Sequence, residues 1–256
     1  MSESLGYPDP LYPYGPGSRA PLADAREMPD CYPIKGNMRD DGTRLLDRIV
    51  SLLPLDAGPV TRHLVVGSPV DQIVALAEQQ QINLILLGAR GLGPIKERLV
   101  GSVSHRVLTF GPGAKLILPG PLKMLHHILL PLQGSYDADH ALSFLQQKPF
   151  RTPPTITLFT VLPHTRPPWP VDAVSAEHME THSLGKAKDF LDEIAAKLRP
   201  LGYQTRVATT LSTPVEGILQ EAKALNPDLI LAGSRGRHSL TRMLLGSVSH
   251  ALLHQG

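Results

Sequence analysis

The 256-residue chain has room for about two domains of roughly 100–150 residues, and its 42% hydrophobic and 19% charged residues are ordinary for globular cores. A net charge of +2 from scattered basic residues, with 5% aromatics, argues against a nucleic-acid partner, and no apolar run approaches the ~20 residues of a membrane helix. The opening MSESLGYPDP lacks a basic-then-apolar leader, and the single cysteine, Cys31, forms no internal disulfide, so the expectation is a soluble cytoplasmic protein.

Residues 1–40 read as a proline-rich loop or disordered segment, with seven prolines in the first 33 residues and no periodicity. From Arg44 the pattern changes: Leu45, Leu46, Ile49, Val50 and Leu53 mark one face of a helix that Pro54 ends. Val60 to Val66 predicts a strand, and Ser68-Pro69-x-Asp71 starts a helix with Ser68 as cap and Pro69 in the first turn. A strand at Leu84–Leu87, a glycine loop, a helix from Ser102 to about Thr109 and a strand at Lys115–Leu118 follow. The second half predicts strand His127–Leu132, helix Asp137–Gln147, strand Thr155–Leu162 and, after a proline-rich loop, a helix from about Ser183 to Arg199. Strand Tyr203–Thr209, a capping box at Thr213-Pro214-Val215-Glu216, strand Asp228–Ala232, a second glycine loop and a helix from Ser247 complete it. Alternating strands and helices imply parallel sheets covered on both faces.

The two glycine loops are copies of each other. GARGLGPIKERLVGSVSHRVL from Gly88 and GSRGRHSLTRMLLGSVSHALL from Gly233 both read Gly-x-x-Gly, nine residues, then Gly-Ser, at an offset of 145 positions. The offset holds upstream: Ser68 to Ile73 align with Thr213 to Ile218, and Leu45, Leu46, Ile49 and Leu53 with Phe190, Leu191, Ile194 and Leu198. Self-similarity this long marks a tandem of two domains. It predicts a boundary plan of 1–40, 41–120 and 121–256. The counterpart of strand 127–132 falls before residue 1, that of strand 155–162 is the proline-rich PLYPYGPG of residues 10–17, and that of strand 115–118 falls beyond Gly256. The expectation is a tandem protein clipped at both ends, whose unpaired strand edges favour self-association.

A glycine turn leaving a strand, with Gly-Ser opening a helix, aims backbone N–H groups at a phosphate. The doubled Gly-x2-Gly-x9-Gly-Ser-Val-Ser pattern resembles the universal stress protein family, in its tandem members, over residues 40–256. The resemblance implies α/β, Rossmann-like open parallel-sheet domains of strand order 3-2-1-4-5, the first lacking its N-terminal strands and the second its last. It implies ATP as ligand, with Mg²⁺ accompanying it, at the carboxyl edge of the strands.

Carried onto this sequence, the phosphates would meet Gly233, Arg235, Gly236, Gly246, Ser247, Val248 and Ser249, with the serine hydroxyls adding donors. The adenine and ribose would lie near Pro131, Leu132, Gln133 and Val161. Members that bind ATP place an aspartate where Gln133 stands; glutamine keeps an acceptor but loses the charge. The first half keeps Gly88, Arg90, Gly91, Gly101, Ser102, Val103 and Ser104 without the strand that would complete a pocket.

Simpler readings compete. The glycines serve equally as turn residues, and neither copy has the order of a dinucleotide fingerprint or the Gly-Lys-Ser/Thr of a Walker loop. His105 and His250 repeat between the halves and read as helix-packing residues rather than catalysts, and His178 and His182, four apart, lack the companions of a metal site. No positioned base or metal set for phosphoryl transfer is evident. The expected function is therefore nucleotide-dependent regulation or interaction in a stress response, not catalysis. A slow ATP hydrolase and a dimerising remnant that binds nothing are the alternatives.

Overall fold

The computed structural model describes residues 36–54, 56–89, 100–120, 124–164, 172–233 and 245–255. The chain packs as two compact units, residues 1–83 with 110–113 and residues 84–109 with 114–256.

In the smaller unit, helix α1 spans Gly36–Ser51 and helix α2 Pro69–Gln79. Helix α1 begins well before the expected Arg44, because its early turns rest on local polar bonds rather than apolar periodicity. Thr43 Oγ1 donates to the Arg39 carbonyl at 3.0 Å, and the Arg44 guanidinium reaches Asp41 at 3.0 Å. Helix α2 buries Val70 and Ala77, but the Ser68 side chain makes no capping bond; its carbonyl accepts the Gln72 N–H at 3.0 Å instead.

The strand expected at Val60–Val66 does not form beyond one isolated bridge at Val65. A strand exists through its ladder partners. The matching residues of the second half, 204–211, form one by pairing along the whole of 155–162, whereas the equivalent partner here is residues 10–17, whose prolines lack N–H donors.

In the larger unit, strand β1 (Leu84–Gly88) leads through helix α3 (Ser102–Phe110) to strand β2 (Ala114–Leu118). The two strands pair in parallel from Leu84↔Ala114 to Gly88↔Leu118. Among the described residues Lys115–Leu118 does not join the second sheet beside Asp228–Ala232, since β2 takes the strand next to it in sequence, the short crossover that connection rules favour.

The second sheet follows the expected 3-2-1-4 arrangement. Strands β3 (His127–Pro131), β4 (Thr155–Leu162), β5 (Gln204–Leu211) and β6 (Leu229–Ile230) lie in the order β5-β4-β3-β6, all parallel. Helices α4 (Ser135–Gln146), α5 (Ala173–Leu198), α6 (Pro214–Leu225) and α7 (Ser247–Gln255) complete the half. Strand β3 is an unbroken apolar run because both its faces are covered. Ile128 and Leu130 point into a core built with α4 and α5 residues Leu142, Leu145, Leu191, Ile194 and Leu198. Leu129 points the other way, into a cluster with Phe159, Val161 and Ile218 against which Val248 and Leu252 pack.

Several boundaries differ from expectation. Helix α5 starts nearly three turns before Ser183, capped by Asp172, whose carboxylate accepts from the Ser175 N–H and hydroxyl, both at 2.8 Å. The apolar pattern starts only at Leu184, so the polar cap was the sole sequence signal. His178 and His182 accordingly stand one turn apart within the helix rather than at its boundary. At Thr213 the expected capping box forms only between side chains: its hydroxyl donates to Glu216 Oε2 at 2.8 Å and caps no backbone N–H.

Asp228 ties β6 to β3 at their amino ends. Its Oδ2 accepts the His126 N–H at 2.8 Å and the His127 N–H at 2.9 Å. These backbone bonds, with a smaller push from the two imidazoles, hold its carboxyl below the usual aspartate range. A depressed folded pKa gives stability that is present above the unfolded value of about 3.9 and lost as pH falls through the folded one. Asp228→Asn is therefore expected to melt a few degrees below wild type at pH 7, with the gap closing below about pH 4. Thermal scans at pH 7 and pH 3 check this; an equal gap at both would contradict it.

Candidate functional site

Parallel pairing brings the carboxyl ends of β3, β4 and β6 to one sheet edge, the edge where open α/β sheets take ligands. From β6 the chain reaches Gly233 and re-enters the described structure at Leu245. Gly246 stands just before α7 and its carbonyl accepts the His250 N–H at 2.9 Å. The N–H groups of Ser247, Val248 and Ser249 precede that first helical bond, so they lack partners within the helix and sit at its positive end.

The serines divide their work. Ser249 Oγ donates to the Gly233 carbonyl, and in the first copy Ser104 Oγ donates to the Gly88 carbonyl at 2.8 Å. A hydroxyl has one proton to give, so these two close the loop onto its own strand end instead of donating to a phosphate, as the sequence had suggested. Ser247 and Ser102, at the first helical positions, are exposed.

The first copy repeats the frame. Gly88 ends β1, Gly101 donates to the Ala89 carbonyl at 2.7 Å, and the Gly101 carbonyl accepts from His105 N–H at 2.9 Å. Val103 follows Ser102 in α3, and Ser104 is buried. Arg90, Gly91, Arg235 and Gly236 lie outside the described residues.

At the other end of the candidate site, Pro131 closes β3 and Leu132 is buried, its N–H bonded to the Phe159 carbonyl at 2.8 Å and its carbonyl to Thr160 Oγ1 at 2.9 Å. Gln133 is exposed, and its N–H donates to Asp137 Oδ2 at 3.2 Å. A carboxylate therefore does stand at this strand end, supplied from the first turn of α4. Sequence reasoning missed Asp137 because it searched only the strand-end position; an acidic residue four places on, in the next helix's first turn, was the available signal. Val161 is buried in the cluster that Val248 also packs against, so one apolar cluster joins the nucleoside end of the predicted site to the phosphate-loop helix.

His105 and His250 meet edge-on, with ring centroids 5.5 Å apart, and His250 lies 4.6 Å from His254. Among the described residues no group of three His, Cys, Asp or Glu side chains is placed to hold a metal ion. A cavity of about 150 Å³ opens beside the carboxyl ends of β4 and β5, lined by Leu162, Pro163, Leu211 and the α5 residues Ala176, Met179, Glu180 and Ser183. None of the predicted contact residues lines it, so it is separate from the site. Among the described residues no helix is long and apolar enough to cross a membrane.

Comparison with known proteins bears on the same residues. A profile of the universal stress protein family matches residues 40–110 and 124–256. A universal stress protein of Mycobacterium bovis is 26% identical over 235 residues, covering 84% of this chain and 74% of that protein. One from Mycolicibacterium smegmatis is 25% identical over 177 residues, covering 65% of this chain and 56% of that protein, so the chain spans little more than half of that relative. Among solved structures, a universal stress protein from Archaeoglobus fulgidus superposes with a TM-score of 0.53 at 22% identity, covering 86% of this chain and 74% of that one. A Pseudomonas aeruginosa protein of unknown function gives 0.57 at 14% identity, covering 84% and 75%. These last two likenesses show the fold.

Proposed function

The chain belongs to the universal stress protein family, and we propose that it is a stress-response protein whose second half binds adenine nucleotide, ATP with Mg²⁺, and acts by regulation or interaction rather than catalysis. The observation that carries this reading is the amino end of α7. N–H groups at Ser247, Val248 and Ser249, without partners inside the helix, open at the same sheet edge as Pro131, Gln133 and Val161. Gly233, Arg235, Gly236 and Gly246 would complete the phosphate end. Asp137 offers beside Gln133 the negative acceptor that glutamine lacks.

The first half holds the same loop at Gly88, Arg90, Gly91, Gly101, Ser102, Val103 and Ser104, but among the described residues β1 has no strand on its second edge to supply a nucleoside seat. That asymmetry favours at most one nucleotide per chain. Residues 41–120 and 121–256 act on this reading as an incomplete and a nearly complete copy, and the incomplete copy contributes to assembly of a homo-oligomer in the cytoplasm.

Calorimetric titration with Mg-ATP should give a stoichiometry no greater than one. Steady-state hydrolysis should stay below about 1 s⁻¹, because donors for positioning are present without an evident general base. Two equal sites would contradict the reading, and turnover in the range of about 1–10³ s⁻¹ would favour the hydrolase alternative. Absence of binding at millimolar ATP would leave the non-binding remnant.

A further inference from the structure

We infer that Gly217 is a positioning residue that sets the nucleoside end of the proposed site by letting α6 lie directly against Val161. The inference rests on the nucleotide-binding reading above and adds a residue to it that no loop motif contains.

Gly217 is buried in the first turns of α6. A Cβ placed there would stand 2.9 Å from each γ-methyl of Val161 and 3.3 Å from the Ser212 Cβ. Both Val161 contacts are closer than carbon atoms tolerate, and the valine has little means of yielding. Its β-branched side chain is stiff at χ1. It is 5% exposed, and it is packed with Leu129, Phe159 and Ile218. The corner is pinned as well, the Ser212 N–H donating to the Leu162 carbonyl at 2.9 Å.

A glycine inside a helix costs about 1 kcal/mol relative to alanine, so its presence calls for a packing reason. The first half, where no counterpart of β4 stands among the described residues, makes no such approach. The matching position of the first half is Gln72, in a helix that forms all the same and leaves the Gln72 Oε1 buried without a hydrogen-bond partner. Close approach at this point is thus peculiar to the half that has strands β3 and β4 and the whole predicted seat.

A side chain at 217 collides with both Val161 methyls and so displaces the valine that the reading above sets beside the adenine and ribose. Among the described residues it adds no contact to the hydrogen bond that closes the phosphate loop, Ser249 to Gly233, and Val248 of α7 feels it only indirectly, by packing against the cluster that holds Val161. The two ends of the ligand should therefore respond differently. For Gly217→Ala we expect ATP affinity to fall about tenfold while affinity for inorganic tripolyphosphate changes less than twofold, both measured by calorimetry on the full chain. Adding Val161→Ala removes the clashing methyls, so the double variant should bind ATP more tightly than Gly217→Ala alone, a coupling that a cycle of single and double variants isolates.

Unchanged ATP affinity in Gly217→Ala, equal loss for ATP and tripolyphosphate, or absence of any rescue in the double variant would each overturn the inference. If tripolyphosphate binds too weakly to titrate, the cycle decides alone. Loss, in both the single and the double variant, of the slow amide exchange of wild type at Ile128, Leu129 and Leu130 would also overturn it, making Gly217 a residue of the fold only. Wild-type protein that binds no ATP would instead remove the functional reading beneath it, an outcome seen before any variant is made.

Discussion

Gly246→Val is expected to abolish ATP binding, whereas Gly101→Val, the same change at the same place in the first half, should leave the measured affinity unchanged. Gly246 immediately precedes α7 and holds its first turn through the bond from His250 N–H. The N–H groups of Ser247, Val248 and Ser249 are useful to a phosphate only if its oxygens approach to hydrogen-bond distance, and a branched side chain at the mouth of the turn occupies that approach. Hydrogen bonds to a charged group contribute about 1.5–3 kcal/mol each. Losing two of them weakens binding by more than a hundredfold, beyond what calorimetry would register for a ligand of ordinary micromolar affinity.

The paired variants make the expectation specific. Gly101 stands in the same relation to α3, its carbonyl accepting from His105 N–H, so a purely conformational effect of valine at such a turn would act in both halves. Only the second half joins the loop to strands that supply Pro131, Gln133 and Val161. Equal losses in the two variants, or none in Gly246→Val, would count against a single second-half site.

What the sequence made legible and what it did not divide along the range of the interactions involved. The frame of both loops was readable because the repeat supplies a second copy of each local pattern, strand order 3-2-1-4 came from the family resemblance, and the apolar runs at 127–131 and 155–162 read as strands covered on both faces. The Ser249 and Ser104 hydroxyls were misassigned because their acceptors, the Gly233 and Gly88 carbonyls, lie sixteen residues upstream, and sequence spacing does not tell a donor which way it turns. Val60–Val66 has every local mark of a strand, yet among the described residues only Val65 makes a bridge. Gly217 meets Val161 only through the packing of α6 on β4, which no single motif contains, whereas Asp137 stood four residues from Gln133 and was overlooked rather than hidden.

The same non-local logic gives the largest stability contrast in the chain. Ile49 and Ile194 occupy equivalent positions in the repeat, on α1 and α5, yet Ile194 is 4% exposed and Ile49 is 50% exposed. Ile194 packs with Leu158, Leu191, Leu198 and Tyr203 in the core against which α5 covers β4 and β5, whereas α1 also leaves Leu45 exposed, as is Leu53 just beyond its end. Ile194→Ala should therefore destabilise the second half by about 2–5 kcal/mol, the transfer loss plus the cavity left in a packed core. Ile49→Ala should fall within about 0.5 kcal/mol of wild type, as surface substitutions do.

A chain of two compact units need not melt in one step, so the readout has to be local. Amide exchange at Ile128, Leu129 and Leu130, the buried centre of the second sheet, should accelerate by at least about thirtyfold in Ile194→Ala and by less than threefold in Ile49→Ala, each factor of ten corresponding to about 1.4 kcal/mol. Comparable acceleration in the two variants would mean that α1 is covered in solution as α5 is. The first half would then have an apolar partner for α1 beyond those among the described residues.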